Sequence, residues 1–123
     1  MGWDVDPDGL YRVLARVYDD YGDVPIAITE NGAAYEDPPA TDGRVGDPQR
    51  TAYLESHLAA LRQAIDHGVR VERYFVWSLL DNYEWAEGYA QRFGIVRVDF
   101  ETQRRTIKQS GRWYRDLLAA APR

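Results

Sequence analysis

Twice in this chain an Asp-Pro pair opens a run of apolar residues at helical spacing, a glycine closes the run, and a short apolar stretch follows. That doubled pattern constrains the fold more than any other feature, because helix and strand alternating in this order mark a parallel α/β architecture. In the first copy Asp6 can accept the free amides of a first helical turn, and Pro7 suits the first helical position. Leu10, Val13, Leu14, Val17 and Tyr21 continue the apolar stripe and Gly22 stops it, which predicts a helix over 7–21. Pro25-Ile26-Ala27-Ile28-Thr29 then reads as a strand buried on both sides, with Glu30 at its C-terminal end.

The second copy starts at Asp47-Pro48, which repeats the helix-start device. Leu54, Leu58, Leu61 and Ile65 follow, and Gly68 ends a helix predicted over about 48–67. Val69, Val71 and Tyr74-Phe75-Val76-Trp77-Ser78 form the second apolar strand. Between the copies, residues 31–47 carry Gly32, Pro38, Pro39, Gly43 and Gly46 and predict a long surface loop. Further on, 93–100 alternates as a strand, 101–108 reads as a turn region, and Trp113, Tyr114, Leu117 and Leu118 predict a last helix over about 110–120.

A length of 123 residues allows one domain, and 45% apolar with 28% charged residues excludes global disorder. The formal charge of −5, with no basic cluster beyond Arg104-Arg105, argues against nucleic acid as a partner. The Arg104-Arg105 pair itself reads as a solvated turn. All basic residues but Lys108 are arginine, which reads as codon usage and not as a binding signal. With no cysteine there is no disulfide, thiolate metal site or cysteine nucleophile. No run approaches the length of a membrane span and no leader precedes the first helix, so the chain reads as soluble and cytoplasmic by default. His57 and His67 lie too far apart on one helix to share a metal, and both read as structural or solvent-facing.

Two groups of residues carry chemistry. Glu30, a carboxylate at the C-terminal end of a buried parallel strand, lies where α/β barrels place catalytic groups, although such a residue taken alone is more often a structural hydrogen-bond or ion-pair member. Trp77, Tyr83, Glu84, Trp85, Tyr89 and Phe93 supply flat rings for stacking on sugar C–H faces and a carboxylate that can accept from two hydroxyls. The competing reading of that stretch is a core patch with a partner interface. Glu84 between aromatics is a poor core choice, because an unpaired buried charge is costly.

Several segments together resemble one family, in its order and over nearly the whole chain. They are Gly2-Trp3-Asp4-Val5, Ile28-Thr29-Glu30-Asn31-Gly32-Ala33, Asp42-Gly43-Arg44-Val45 with Asp47-Pro48, Tyr74-Phe75-Val76-Trp77-Ser78-Leu79-Leu80-Asp81-Asn82, Glu84-Trp85-Ala86-Glu87-Gly88-Tyr89 and Arg92-Phe93-Gly94. The chain resembles the family 1 glycoside hydrolases, the retaining β-glucosidases and β-galactosidases. The resemblance implies a partial TIM (β/α)8 barrel: the last two βα units with the preceding helix, residues 1–123 forming the C-terminal part. Within it Glu30 is the nucleophile, Trp77 and Trp85 line the glycone pocket, Glu84 binds sugar hydroxyls far from the anomeric carbon, and Phe93 sits at the pocket wall.

The retaining mechanism needs a second carboxyl group, about 5 to 5.5 Å from the nucleophile, as acid and then base. In the family it belongs to an Asn-Glu-Pro motif, which this sequence lacks. The resemblance therefore implies a β-glycoside substrate, the missing N-terminal barrel portion as partner, no cofactor or metal, and an isolated chain inactive by itself. Two parallel strands with open edges also predict marginal stability and self-association. Two other functions compete: a carbohydrate-binding module that has lost the acid, and a self-sufficient hydrolase recruiting Glu84 or Glu87 as acid. The last is the weakest, because a carboxylate that anchors distal hydroxyls faces the wrong side of the sugar.

Overall fold

A computed structural model describes residues 2–121. Its elements run α1 (Pro7–Tyr21), β1 (Ile26–Asn31), α2 (Pro48–His67), β2 (Val71–Val76), a 3₁₀ turn (Trp85–Glu87), β3 (Val96–Val98), β4 (Arg105–Ile107) and α3 (Gln109–Ala120). β1 and β2 pair in parallel, as the alternation of elements requires, while β3 and β4 form a separate antiparallel hairpin.

The helix signals act locally. Asp6 caps α1, its Oδ1 accepting from the Gly9 amide at 2.9 Å, and Gly22 takes a positive φ of 74° where the helix stops. Gly68 ends α2 in the left-handed region, φ 116°, with the Tyr18 ring packed against it. Asp47 departs from the expected device. It precedes α2, but its carboxylate makes no cap bond and turns instead to Arg50 and Ser110.

One layer of helices covers one face of the parallel pair. Leu14, Leu61, Ala64 and Val69 form the buried centre, and Leu10, Tyr11, Tyr18, Ile26, Ile28, Leu58, Val71 and Tyr74 pack around it. Each fully buried aliphatic side chain of this kind contributes about 1.5 to 3 kcal/mol. The expectation that the first strand is buried on both sides is corrected: Ile26 and Ile28 face the helices, while Ala27, Thr29 and, on β2, Phe75 are exposed. Among the described residues nothing lies on that opposite face. The stripe of α1 is narrower than the spacing predicts, with Val13 and Tyr21 left in solvent.

The C-terminal third differs more. The strand expected over 93–100 shrinks to Val96–Val98, and the expected turn region contains β4, paired Val96 to Ile107, Arg97 to Thr106 and Val98 to Arg105. Arg105 therefore opens a strand, still exposed. The hairpin is held to the parallel pair's end through the Asp81 amide bonded to the Val96 carbonyl at 3.1 Å and the Ile95 amide bonded to Ser78 at 2.9 Å.

Beneath these loops lies a closed set of charges. Arg50, fully buried, meets Asp37 and Asp47; Lys108, also fully buried, meets Asp37 and Asp81; Arg92 meets Asp81 at 2.6 Å. Three cations face three carboxylates, so the set is neutral, and no buried side-chain polar atom is left without a partner among the described residues. Burial and the nearby Arg50 charge push the Lys108 ammonium below its ordinary pKa, while its two carboxylates pull it back. The long loop 31–47 is thus not wholly a surface loop, because its Asp37 side chain anchors it to this set.

Candidate active site

β1 and β2 run in the same direction, so their C-terminal ends open on the same side, and the loops that follow build a cleft there. It has a volume of about 600 Å³ and is lined by Trp3, Glu30, Asn31, Gly32, Tyr53, Trp77, Glu84, Trp85 and Phe93. The five site residues expected from the sequence are all in it. Sequence reasoning missed Asn31, Gly32 and Tyr53 as lining groups and used Trp3 only as part of a motif. Asn31-Gly32 reads as a turn signal, and Tyr53 sits off the apolar stripe of α2, so neither carries a chemical signature by itself.

Glu30 projects from β1 into this space and is exposed. Next to it Asn31 is held on both ends of its carboxamide: the Tyr74 hydroxyl donates to Oδ1 at 2.7 Å, and Nδ2 donates to the Tyr53 hydroxyl at 3.2 Å. Burial raises both phenol pKa values, so both hydroxyls stay protonated near neutrality. Trp77 follows β2 directly, its amide donating to the Asn31 carbonyl at 2.9 Å. Gly32 packs so closely on the Trp77 backbone that a Cβ there would come within 1.7 Å of the Trp77 carbonyl oxygen. Only glycine fits, and the approach brings the backbone at the end of β2 against the residue two positions after Glu30.

The opposite wall comes from the loop after β2. The single Ser78 hydroxyl proton is shared between the Leu80 carbonyl at 2.7 Å and Asn82 Oδ1 at 3.2 Å, and Asn82 Nδ2 donates to Glu84 Oε2 at 3.0 Å, leaving Glu84 Oε1 without a donor among the described residues. Trp85 is 82% exposed with a φ of 45°, a ring standing in solvent at the rim. Phe93, 2% exposed, is the buried part of the cleft's lining. Tyr83 and Tyr89 do not line it; they meet edge to face at 5.4 Å, with Phe100 against Tyr89. Glu87, on the 3₁₀ turn, does not line it either.

The cleft thus combines Glu30, which has no side-chain partner among the described residues, the half-engaged carboxylate of Glu84, and aromatic walls. His57 is buried and stacked on Tyr53 at 3.8 Å with Nδ1 against the Tyr53 carbonyl, a structural role, and burial lowers its pKa. No group of acidic and histidine side chains among the described residues could hold a metal ion, and no described helix is long and apolar enough to cross a membrane.

The sequence model of glycosyl hydrolase family 1 matches residues 1–122, and the chain belongs to that family. Beta-glucosidase A of Thermotoga maritima is 51% identical over 96% of this chain and 26% of its own length. The 6-phospho-beta-galactosidase of Streptococcus equi subsp. zooepidemicus is 46% identical over 95% of this chain and 25% of its own. The solved family 1 β-glucosidase from Thermotoga maritima, in complex with isofagomine lactam, superposes with a TM-score of 0.93 at 50% identity, covering 97% of this chain and 27% of that one. The chain spans about a quarter of the length of these relatives.

Proposed function

We propose that this chain is the nucleophile-bearing part of a retaining β-glycosidase of the β-glucosidase type, formed by the last two βα units of a (β/α)8 barrel and the helix before them. The observation that carries the reading is the convergence of Glu30, Trp77, Glu84, Trp85 and Phe93 on one cleft at the C-terminal ends of β1 and β2, the end where barrel enzymes hold their catalytic groups. The β-glucosidase relatives support it. So does the uncovered face of the sheet, where the exposed Phe75 needs a covering layer that the remaining barrel would provide.

In the first step the Glu30 carboxylate attacks the anomeric carbon of a β-glycoside, and the bond to the leaving oxygen breaks as that oxygen takes a proton from a general acid. In the second, water attacks the glycosyl-Glu30 ester, the same group removes its proton, and Glu30 is released with the configuration retained. The acid/base is a carboxyl group of the remaining barrel. Glu84, with Oε1 free, accepts from sugar hydroxyls distant from the bond being broken, and the Trp77 and Trp85 rings stack on the sugar's C–H faces. The chemistry uses carboxyl groups and water alone, so no cofactor is part of the reading.

The test is a chimera in which this chain replaces the matching quarter of Thermotoga maritima beta-glucosidase A. The chimera should hydrolyse an aryl β-glucoside, and Glu30→Gln should lower kcat by roughly a thousandfold or more. A Glu30→Gln chimera that keeps its activity would sink the nucleophile assignment.

A further inference from the structure

Regular alternation along β1 would turn Glu30 away from the cleft. Ile26 and Ile28 face the helical layer while Ala27 and Thr29 face outward, so the next even position should face the helices as well. It does not: Glu30 is exposed and Asn31 is the residue turned inward. The register explains the reversal. Ile28 pairs with Tyr74 and Asn31 with Val76, so three steps on β1 are set against two on β2. One extra residue is taken up at Thr29-Glu30, a bulge of the kind that re-aims a side chain beside an active site.

A bulge leaves its extra residue unpaired, so something else has to hold it. Glu30 itself receives no hydrogen bond from any side chain among the described residues, and its direction is set by its neighbours. Asn31 carries that constraint through three bonds, to Tyr74 on β2, to Tyr53 on α2 and to the Trp77 amide. Tyr74 is packed into the apolar core and Tyr53 is stacked on buried His57, so both anchors are rigid. The structure assigns to Asn31, Tyr53 and Tyr74 a positioning role: together they clamp the bulge that turns Glu30 into the cleft. None of the three needs to touch the reacting atoms. The assignment rests on Glu30 being the nucleophile.

A misdirected nucleophile slows bond formation far more than it weakens sugar binding, since a displacement of about 1 Å can cost 100-fold in rate. The test uses the full-length chimera and two measurements. One is the rate at which an activated 2-deoxy-2-fluoro β-glucoside labels the protein covalently, with the labelled peptide read by mass spectrometry. The other is the inhibition constant of glucose. In the parent the label should sit on Glu30; a label on another residue overturns the nucleophile reading and the clamp that rests on it. With the label on Glu30, Tyr53→Phe and Tyr74→Phe should each slow labelling roughly tenfold or more, and Tyr74→Phe, whose side chain does not line the cleft, should change the glucose constant less than about twofold.

The coupling is the sharper measurement. In an Asn31→Leu background Tyr53→Phe should have no further effect, because the two act through one carboxamide. The clamp is overturned by unchanged labelling in Tyr53→Phe, by labelling and glucose binding falling by the same factor in Tyr74→Phe, or by a Tyr53→Phe effect that survives in Asn31→Leu. Should Asn31→Leu fail to fold, the Tyr53→Phe with Tyr74→Phe pair closes the same cycle: less than additive loss supports the clamp and full additivity overturns it.

Discussion

The buried charge set and the open cleft lie on adjoining loops, yet they differ in how far this chain completes them. Asp37, Asp47, Arg50, Asp81, Arg92 and Lys108 satisfy one another within the described residues, three charges of each sign. The cleft has one unengaged carboxylate and rings in solvent. Structure is therefore self-contained where chemistry is not. Arg50 joins the two regions, since its guanidinium also donates to the carbonyls of Ala33, at 3.4 Å, and Arg92, at 2.6 Å, the residues that follow the Glu30 loop and precede Phe93. Replacing Arg50 should break that contrast most severely. Arg50→Met strands Asp37 and Asp47 with one cation fewer in a buried place, and should cost about 3 to 5 kcal/mol. Urea denaturation of the 123-residue chain followed by circular dichroism checks it; a midpoint near that of the parent would mean the set contributes little.

Gly32→Ala probes the seam from the other side. The added methyl meets the Trp77 carbonyl oxygen, and only backbone movement can relieve the clash. A loss of about 2 to 3 kcal/mol is expected, read from the same urea transitions. An alanine tolerated without loss would show that the β1 and β2 ends are loosely apposed.

These two positions also show what the sequence makes legible. Helices α1 and α2 can be read with their ends, because Asp-Pro starts, apolar spacing and terminal glycines are local signals. Glu30, Trp77, Glu84, Trp85 and Phe93 are read from motifs, and they meet in one cleft. β4 is not legible, since Arg105-Thr106-Ile107 has no alternation of apolar and polar residues and owes its pairing to β3. The charge set is not legible either. Asp47 looks like a helix cap and Lys108 like an accident of codon usage, yet Lys108 is a fully buried cation that bridges Asp37 and Asp81. Nor does period-two reasoning reveal the bulge at Thr29-Glu30, whose cause is a register set by both strands.

A smaller effect separates the two regions by pH. Burial lowers the His57 pKa in the folded protein, so between that lowered value and the unfolded value of about 6.5 the unfolded chain binds more protons. This contribution to stability is full above about pH 6.5 and is lost as pH falls through the window. Urea midpoints measured from pH 7.5 down to 5.5 should decline, and His57→Asn should flatten that slope. An identical slope in the variant would assign the acid sensitivity to other groups.

The smallest structural effect belongs to the most exposed ring. Trp85 is 82% in solvent, so Trp85→Ala removes little buried area and should shift unfolding free energy by no more than about 0.5 kcal/mol. If the ring stacks on a sugar, the same change should weaken glucose inhibition of the chimera roughly three- to tenfold, the worth of one aromatic stacking contact. Stability held with binding lost would place Trp85 wholly on the functional side of the comparison. A large stability loss would instead make it a packing residue, and unchanged glucose binding would remove it from the site.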